Sequence, residues 1–384
     1  MKTIKESIDK AIQRTRVYYC LDCGKCTSIC PIALRNPDYS PRRMVESAIF
    51  DSQECLIKNK FLWECLTCRM CIERCPSDVY FSEFIRDVRI EAGKIGLNGE
   101  YSHSGVIQSL MRIMAQPDLK QTRLDWITKD LKVATEGEYL YFVGCLPYFD
   151  AFFTDLDLDT INIAKSAVMI LNYIGIEPVI MKNERCCGHD LLWTGDIENF
   201  IRLARQNSIE IKKTGCTKLI VSCPECYRTL KVDYPKYIGD LGVEVIHISE
   251  LLAESLTDDK LKFRKSMKKV TYQDACRLGR YSGIYEQPRE VMKAIEGLQL
   301  NEMEKSGKSA VCCGTNAWIN CNSTSKEIQI DRLNDAKSTE ADLLITACPK
   351  CLIHFKCAMN DGNISQNTKI EIMDFTVLIA NYLE

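Results

Sequence analysis

The chain has 384 residues, with 50 basic against 52 acidic side chains for a formal net charge of -2; that length allows about two to three domains. It carries no block of like charge able to neutralise a phosphate backbone, which excludes nucleic acid as a partner. No apolar run is long enough to span a membrane, and Met1-Lys2-Thr3-Ile4-Lys5-Glu6 lacks the apolar core of a signal peptide. The expectation is a cytoplasmic, soluble protein, with peripheral docking on a membrane complex left open. The 22 cysteines in such a chain point to metal ligation rather than disulfides, because the cytosol keeps thiols reduced.

Residues 1–95 are expected to form a mainly α-helical first domain. Its opening helix is signalled by Ile4, Ile8, Ala11 and Ile12 at helical spacing. Two copies of one cysteine run follow: Cys20, Cys23, Cys26 and Cys30-Pro31, then Cys65, Cys68, Cys71 and Cys75-Pro76. This is the bacterial ferredoxin pattern, in which the fourth cysteine of each run ligates the other cluster. By that rule Cys20, Cys23, Cys26 and Cys75 hold one 4Fe-4S cubane, and Cys65, Cys68, Cys71 and Cys30 hold a second. Structural zinc fits worse, since zinc sites use separated Cys-x-x-Cys pairs rather than a doubled run ending in Cys-Pro. Irons that all carry cysteine leave no position for a substrate, so this module reads as a one-electron wire.

Residues 96–135, carrying Gly96, Gly99, Gly105 and Pro117 but no motif, read as a helical connecting segment. Residues 136–260 and 261–384 are then two copies of one unit. Cys145 answers to Cys276, Cys186-Cys187-Gly188 to Cys312-Cys313-Gly314, and Cys223-Pro224-Glu225-Cys226 to Cys348-Pro349-Lys350-Cys351. Short β-rich runs at Tyr139–Val143, Leu219–Val221 and Leu343–Thr346 lead into cysteines, and helical stretches such as Ile161, Ala164, Val168 and Leu171 up to Gly175 lie between. Each half is therefore α/β, and the pair is expected to be pseudo-symmetric. Five cysteines per half are one too many for a cubane: either one is idle or the cluster has an unusual shape with bridging thiolates. The doubled Cys-Cys-Gly favours the second, because a glycine lets the backbone come close.

This double pattern, with the ferredoxin run in front, resembles the CCG domains of heterodisulfide reductase, in the D-type arrangement or a fusion of B and C types. The resemblance implies a noncubane 4Fe-4S cluster in each half, on Cys145, Cys186, Cys187, Cys223 and Cys226 and on Cys276, Cys312, Cys313, Cys348 and Cys351. It implies cleavage of a disulfide such as that of coenzyme M and coenzyme B between them, one sulfur captured by each cluster. It also implies a hetero-oligomeric complex, with electrons from a flavoprotein, a ferredoxin-type protein or a membrane partner. Two departures bear on the substrate. Where the family pattern reads His-Asp-Pro-Cys-His-Leu-Gly-Arg, this chain has Gln273-Asp274-Ala275-Cys276-Arg277-Leu278-Gly279-Arg280. Where family members often carry a glycine run, it has Thr315-Asn316-Ala317-Trp318-Ile319-Asn320-Cys321.

Other residues are weighed on their chemistry. His189 could donate a proton beside the first cluster, against a plain hydrogen-bonded histidine. Arg277 and Arg280 could grip an anionic substrate group, against ordinary ion pairing. Asp274 is expected to orient the Cys276 loop through backbone hydrogen bonds. His354 is expected to be an ordinary helix residue, and Cys55, Cys216 and Cys357 to be buried as small hydrophobes. The rival to a disulfide reductase is an electron relay between a flavoprotein or dehydrogenase and a quinone or other acceptor. No Gly-x-Gly-x-x-Gly fingerprint is present, so any flavin would belong to a partner.

Overall fold

The computed structural model describes residues 2–258, 260–361 and 368–384. They form two compact units. The first comprises Met1–Ile113, Gly188–Phe200 and Val311–Gln329, the second Met114–Cys187, Ile201–Ala310 and Ile330–Glu384. Among the described residues no helix is long and apolar enough to cross a membrane.

Among the described residues the first unit is helical, with isolated bridges such as Tyr101 to Ile319 but no extended strand. Its opening helix, Lys2–Arg14, buries Ile8, Ala11 and Ile12 against the helix Phe81–Lys94, whose Phe84, Ile85, Val88 and Ala92 are fully buried. Ser40 caps the helix Pro41–Phe50 by accepting from Arg43 N, and the proline at its first position needs no amide partner. Arg89, on the buried face of Phe81–Lys94, is fully enclosed and donates to the carbonyls of Leu62, Trp63, Cys65 and Trp193 at 2.8–3.1 Å. One guanidinium thereby anchors the approach to Cys65. The helix His189–Thr194 lies on the same long helix; Gly195, at φ 91°, ends it where a Cβ would overlap the Arg89 carbonyl, so only glycine fits.

The second unit is α/β with two parallel sheets. Strands β1 (Tyr139–Phe142), β2 (Lys218–Val221) and β3 (Glu244–His247) run in the order β1-β2-β3. Strands β4 (Lys269–Gln273), β5 (Gln299–Leu300), β6 (Leu343–Thr346) and β7 (Glu371–Asp374) run in the order β5-β4-β6-β7. Their central residues are apolar and wholly enclosed, Leu219, Ile220 and Val221 in β2 and Leu344 and Ile345 in β6, as parallel strands covered on both faces require. In the first sheet Val179 bridges Leu140, exchanging bonds with Tyr139 O and Tyr141 N at 2.8 and 2.9 Å, in the place that β5 takes beside β4. The two sheets are thus one design used twice.

The repeat is also reciprocal in its packing. The long helix of the first half, Thr160–Tyr173, packs on the last helix of the second, Phe375–Tyr382, while Ile248–Thr257 of the first packs on Glu286–Lys293 of the second. Such exchange of equivalent contacts is the signature of an isologous twofold interface.

The segment expected to connect the domains as a helix is α-helical only over Val106–Met114. Beyond Pro117 it runs irregularly, and its side chains serve as braces: Gln121 and Arg123 donate to Glu184 O at 2.5 and 2.8 Å, and Ala134 bridges Val179.

Candidate iron-sulfur centres

In the first unit the two cysteine runs wrap by the same device. Asp22 and Gly24 in one, Thr67 and Arg69 in the other, adopt left-handed backbone at φ 53°, 75°, 48° and 62°. These reversals between cysteines three residues apart turn the thiols inward. One pocket, open to solvent, has Cys20, Cys23, Cys26, Cys71 and Cys75 among its lining residues. A second has Cys30, Cys65, Cys68 and Cys71. The fourth cysteine of each run therefore sits with the first three of the other run. Four or more cysteines gathered on one pocket in this way fit an iron-sulfur cluster.

Burial, first of all, raises the thiols of Cys26, Cys30, Cys65 and Cys71 above their ordinary range, and neighbouring cysteines push Cys26, Cys30 and Cys71 further. Apposed buried thiols resist losing protons together, and a cationic cluster core relieves that by taking them as thiolates. Amides of Thr67 and Val79 point at Cys65 Sγ and Cys75 Sγ, at 3.3 and 3.4 Å; donors to cluster sulfurs raise a cluster's potential. Arg69 is ion-paired with Glu83 and Lys25 lies on a surface helix. The fully buried Tyr39 sets its hydroxyl beside the Cys65 thiol. Nothing in the polar Asn36-Pro37-Asp38-Tyr39 stretch marks it out for that.

In the second unit the cysteines stand at the carboxyl ends of strands, where open α/β sheets bind ligands. Cys145 follows β1, Cys223 follows β2, Cys276 follows β4 and Cys348 follows β6. In the first half Cys145 Sγ is 3.1 Å from Cys186 Sγ, and Cys226 contacts both Cys187 and Cys223, which hold its proton tightly. The glycine at 144 matters here, because at φ 68° a Cβ would stand 3.2 Å from Cys226 Sγ. All five cysteines of the first half therefore form one chain of contacts. Beyond Cys226 the helix passes through a π-helical turn at Thr229–Asp233, a deformation frequent beside functional sites.

In the second half Cys348 and Cys351 interact directly, while burial and the nearby Cys223 and Glu225 raise Cys348 overall. Cys223 and Cys348, equivalent in the repeat, are thus close enough to repel. Between the two Cys-Pro-x-Cys turns, Glu225 and Lys350, again equivalent, form a largely buried ion pair at 2.6 Å. Cys312 and Cys313 are buried and belong to the first unit's segment Val311–Gln329.

The turns bearing Cys145 and Cys276 are pinned by arginine–carboxylate pairs that sequence reading missed or half saw. The fully buried Glu184 accepts from Val143 N, Gly144 N and Arg123 at 3.1, 2.7 and 2.8 Å. Asp274 accepts from both Arg289 terminal nitrogens at 2.8 Å and from Gly307 N at 2.7 Å. A glutamate two residues before Cys-Cys-Gly is the only sequence signal for the former. Arg280 donates to Lys308 O and Ala310 O, so it supports the chain leading into Cys312. Arg277 is buried with its guanidinium 4.2 Å over the Tyr281 ring.

His189 is buried, 3.0 Å from the Asp190 carboxylate and beside the Trp193 ring. His354 is buried on the helix Pro349–Met359. Cys216 is buried and Cys357 half-buried, but Cys55 is exposed on the short helix Gln53–Lys58, where Leu56 and Ile57 take the inward face.

Residues 16–79 match a 4Fe-4S dicluster domain family, and residues 139–231 and 270–356 match the cysteine-rich CCG domain family. The D-type subunit of the dihydromethanophenazine:CoB--CoM heterodisulfide reductase of Methanosarcina acetivorans is 31% identical over 97% of this chain and 95% of that protein. The chain belongs to the family of D-type heterodisulfide reductase subunits. It is accordingly an iron-sulfur oxidoreductase relative, with an N-terminal ferredoxin-like module followed by two CCG domains. Other relatives carry the names of different activities. The EtfAB:quinone oxidoreductase of Syntrophomonas wolfei is 28% identical over 85% of this chain and 47% of its own length. The B-type subunit of the fumarate reductase (CoM/CoB) of Methanothermobacter marburgensis is 25% identical over 92% of this chain and 71% of its own. Among solved structures, an aspartate racemase homologue from Pyrococcus horikoshii covers 65% of this chain and 96% of its own at 10% identity, but its TM-score of 0.27 is too low to define a fold.

Proposed function

We propose that the chain is the disulfide-handling subunit of a hetero-oligomeric complex. Domains 1–95, 136–260 and 261–384 carry, respectively, two cubane clusters, a first noncubane cluster and a second. Cys20, Cys23, Cys26 and Cys75 ligate one cubane and Cys30, Cys65, Cys68 and Cys71 the other. Cys145, Cys186, Cys187, Cys223 and Cys226 ligate the first noncubane cluster, and Cys276, Cys312, Cys313, Cys348 and Cys351 the second. The observation that carries the reading is the contiguity of all five thiols in the first half, one more than a cubane takes, beside an equivalent Cys-Pro-x-Cys turn of the other half.

When bound, the clusters supply single electrons and Lewis-acidic iron for a sulfur atom. Cleaving a disulfide consumes two electrons and two protons and yields two thiols. The chain contributes a fixed frame: Glu184–Arg123 and Asp274–Arg289 hold the Cys145 and Cys276 turns, and Arg89 holds the approach to Cys65. His189, set by Asp190, is the proposed proton donor. The substrate class is a thiol–disulfide couple such as the coenzyme M–coenzyme B heterodisulfide, and the electrons come from a flavoprotein, ferredoxin-type or membrane partner.

The second reading, a relay to a quinone or other acceptor, is favoured by the resemblance to the EtfAB:quinone oxidoreductase over 85% of this chain and by arginine at 277 in place of the family histidine. Paramagnetic resonance of the anaerobically purified, oxidised holoprotein separates the two. A new signal that requires added coenzyme M, with about sixteen irons per chain, is the expected result. An oxidised protein with no signal that responds to thiol or heterodisulfide, and cubane signals that appear only on reduction, would leave the relay.

A further inference from the structure

The two halves are alike in backbone but not in charge. Position 146, directly after Cys145, is a buried leucine; its counterpart after Cys276 is Arg277. Arg277 is only 3% exposed, so its charge is held inside the protein rather than in solvent. Tyr281 fixes the guanidinium from one side at 4.2 Å, and the Ser282 hydroxyl donates to the Arg277 carbonyl at 2.8 Å, tying down the turn. Cys276 and Glu225 are among the groups that stabilise its charge, although burial opposes it. Glu225 is already engaged with Lys350, so the carboxylate in this cluster is shared. A guanidinium stays charged at every physiological pH, unlike the histidine of the family pattern.

We propose that Arg277 makes the two cysteine centres inequivalent, acting as a positioning residue whose permanent charge favours the reduced state of the centre built around Cys276, Cys348 and Cys351. That centre then has the higher potential and is the resting place of the electron, while the leucine-flanked centre of Cys145 is reduced less readily. Each reduction adds one electron, supplied in the test by dithionite through mediators, and adds one negative charge beside Arg277. A positive charge held in a protein interior changes such an equilibrium by about tenfold at cluster distances. The proposal rests on both five-cysteine motifs holding clusters, as put forward above.

The test is a redox titration of the anaerobic holoprotein without substrate, followed by paramagnetic resonance, for wild type, Arg277→Met and Arg277→Lys. Methionine keeps the unbranched apolar stem and removes the charge; lysine keeps the charge and loses the planar stack. The expected result is that Arg277→Met lowers one noncubane midpoint by about 59 mV, a tenfold change for one electron, and leaves the other noncubane and both cubanes in place. Arg277→Lys should retain most of the wild-type value. Equal shifts in the two variants, equal shifts at both noncubane centres, or no shift in Arg277→Met would overturn the proposal. If Arg277→Met fails to assemble, Arg277→Lys and the wild type decide it: two noncubane midpoints that coincide in both overturn it, and separated midpoints in both sustain it. A wild-type iron content of about eight per chain would instead remove the noncubane centres themselves, and with them the reading on which the proposal rests.

Discussion

The two halves of the second unit repeat one topology with different chemistry at equivalent points. Glu225 stands where its counterpart is Lys350, Leu146 where it is Arg277, and His247 where it is Asp374. The turn before Cys145 is pinned by a carboxylate from the Cys-Cys-Gly side, Glu184; the turn before Cys276 is pinned by a carboxylate of its own, Asp274. The repeated backbone thus sets Cys145 and Cys223, and again Cys276 and Cys348, at strand ends, while the charges around them differ. Such divergence lets two similar centres take different tasks, because potentials and protonation follow local charge and burial.

Breaking the comparison at its centre should have the largest effect. Glu225 and Lys350 are a buried pair of opposite charge, with side chains 13% and 5% exposed. Lys350→Met leaves a buried carboxylate without its ammonium and should cost about 3–5 kcal/mol. The double variant Glu225→Met/Lys350→Met should recover most of that, since both charges leave together. Guanidinium unfolding of the anaerobic holoproteins checks this; a double variant no better than the single would mean that the pair does not act as a unit.

The strand-end residues offer a finer comparison by pH. Burial pushes His247 down to about 3 and Asp374 up to about 7, so between those two values both are neutral inside the fold. Their linkages have opposite signs. His247 is depressed, so its contribution is intact above pH 6.5 and is lost as pH falls toward 3. Asp374 is raised, so its contribution is intact below pH 3.8 and is lost as pH rises through about 7. Each acts with a slope of up to about 1.4 kcal/mol per pH unit. Asp374→Asn should flatten the decline between pH 4 and 7, and His247→Asn, which can still cap the following helix, should flatten the acid limb. Denaturant midpoints across that range that keep the wild-type slopes in both variants would refute the assignment.

The cysteine framework, the repeat and its α/β class were legible in the sequence because ligand spacing and buried strands leave strong local signals, as at Cys223-Pro224-Glu225-Cys226 and Leu343–Thr346. What was not legible depends on residues far apart in the chain. Arg123 lies in a stretch without a motif, yet it reaches Glu184 and Gly144. Arg89 reads as the polar face of an amphipathic helix, but it is enclosed and satisfies four carbonyls. Short strands such as β5 carry too few residues for a period, and Val179 takes the same place with one. Cys55 fails as a buried hydrophobe because two better ones follow it on a helix of six residues.

The smallest expected effect concerns the segments after the two Cys-Cys-Gly motifs. After Gly188 the chain enters a helix at once, at His189–Thr194. After Gly314 it takes left-handed backbone at Ala317, Trp318 and Asn320, with φ of 50°, 56° and 51°. These are conformations in which a Cβ costs about 1 kcal/mol, and they fall where family members often carry glycines. The segment is held nonetheless by Ser102 N to Trp318 O and Asn320 N to Glu100 O, both 2.8 Å, and by Gln108 to Ala317 O at 3.0 Å. Ala317→Gly relieves the steric cost but loosens the unfolded chain, and those terms oppose. Because the native φ is already positive, relief should win, and the variant should gain about 0.5 kcal/mol. A loss of stability in denaturant titration would mean that the buried Ala317 methyl contributes more through packing than its backbone costs.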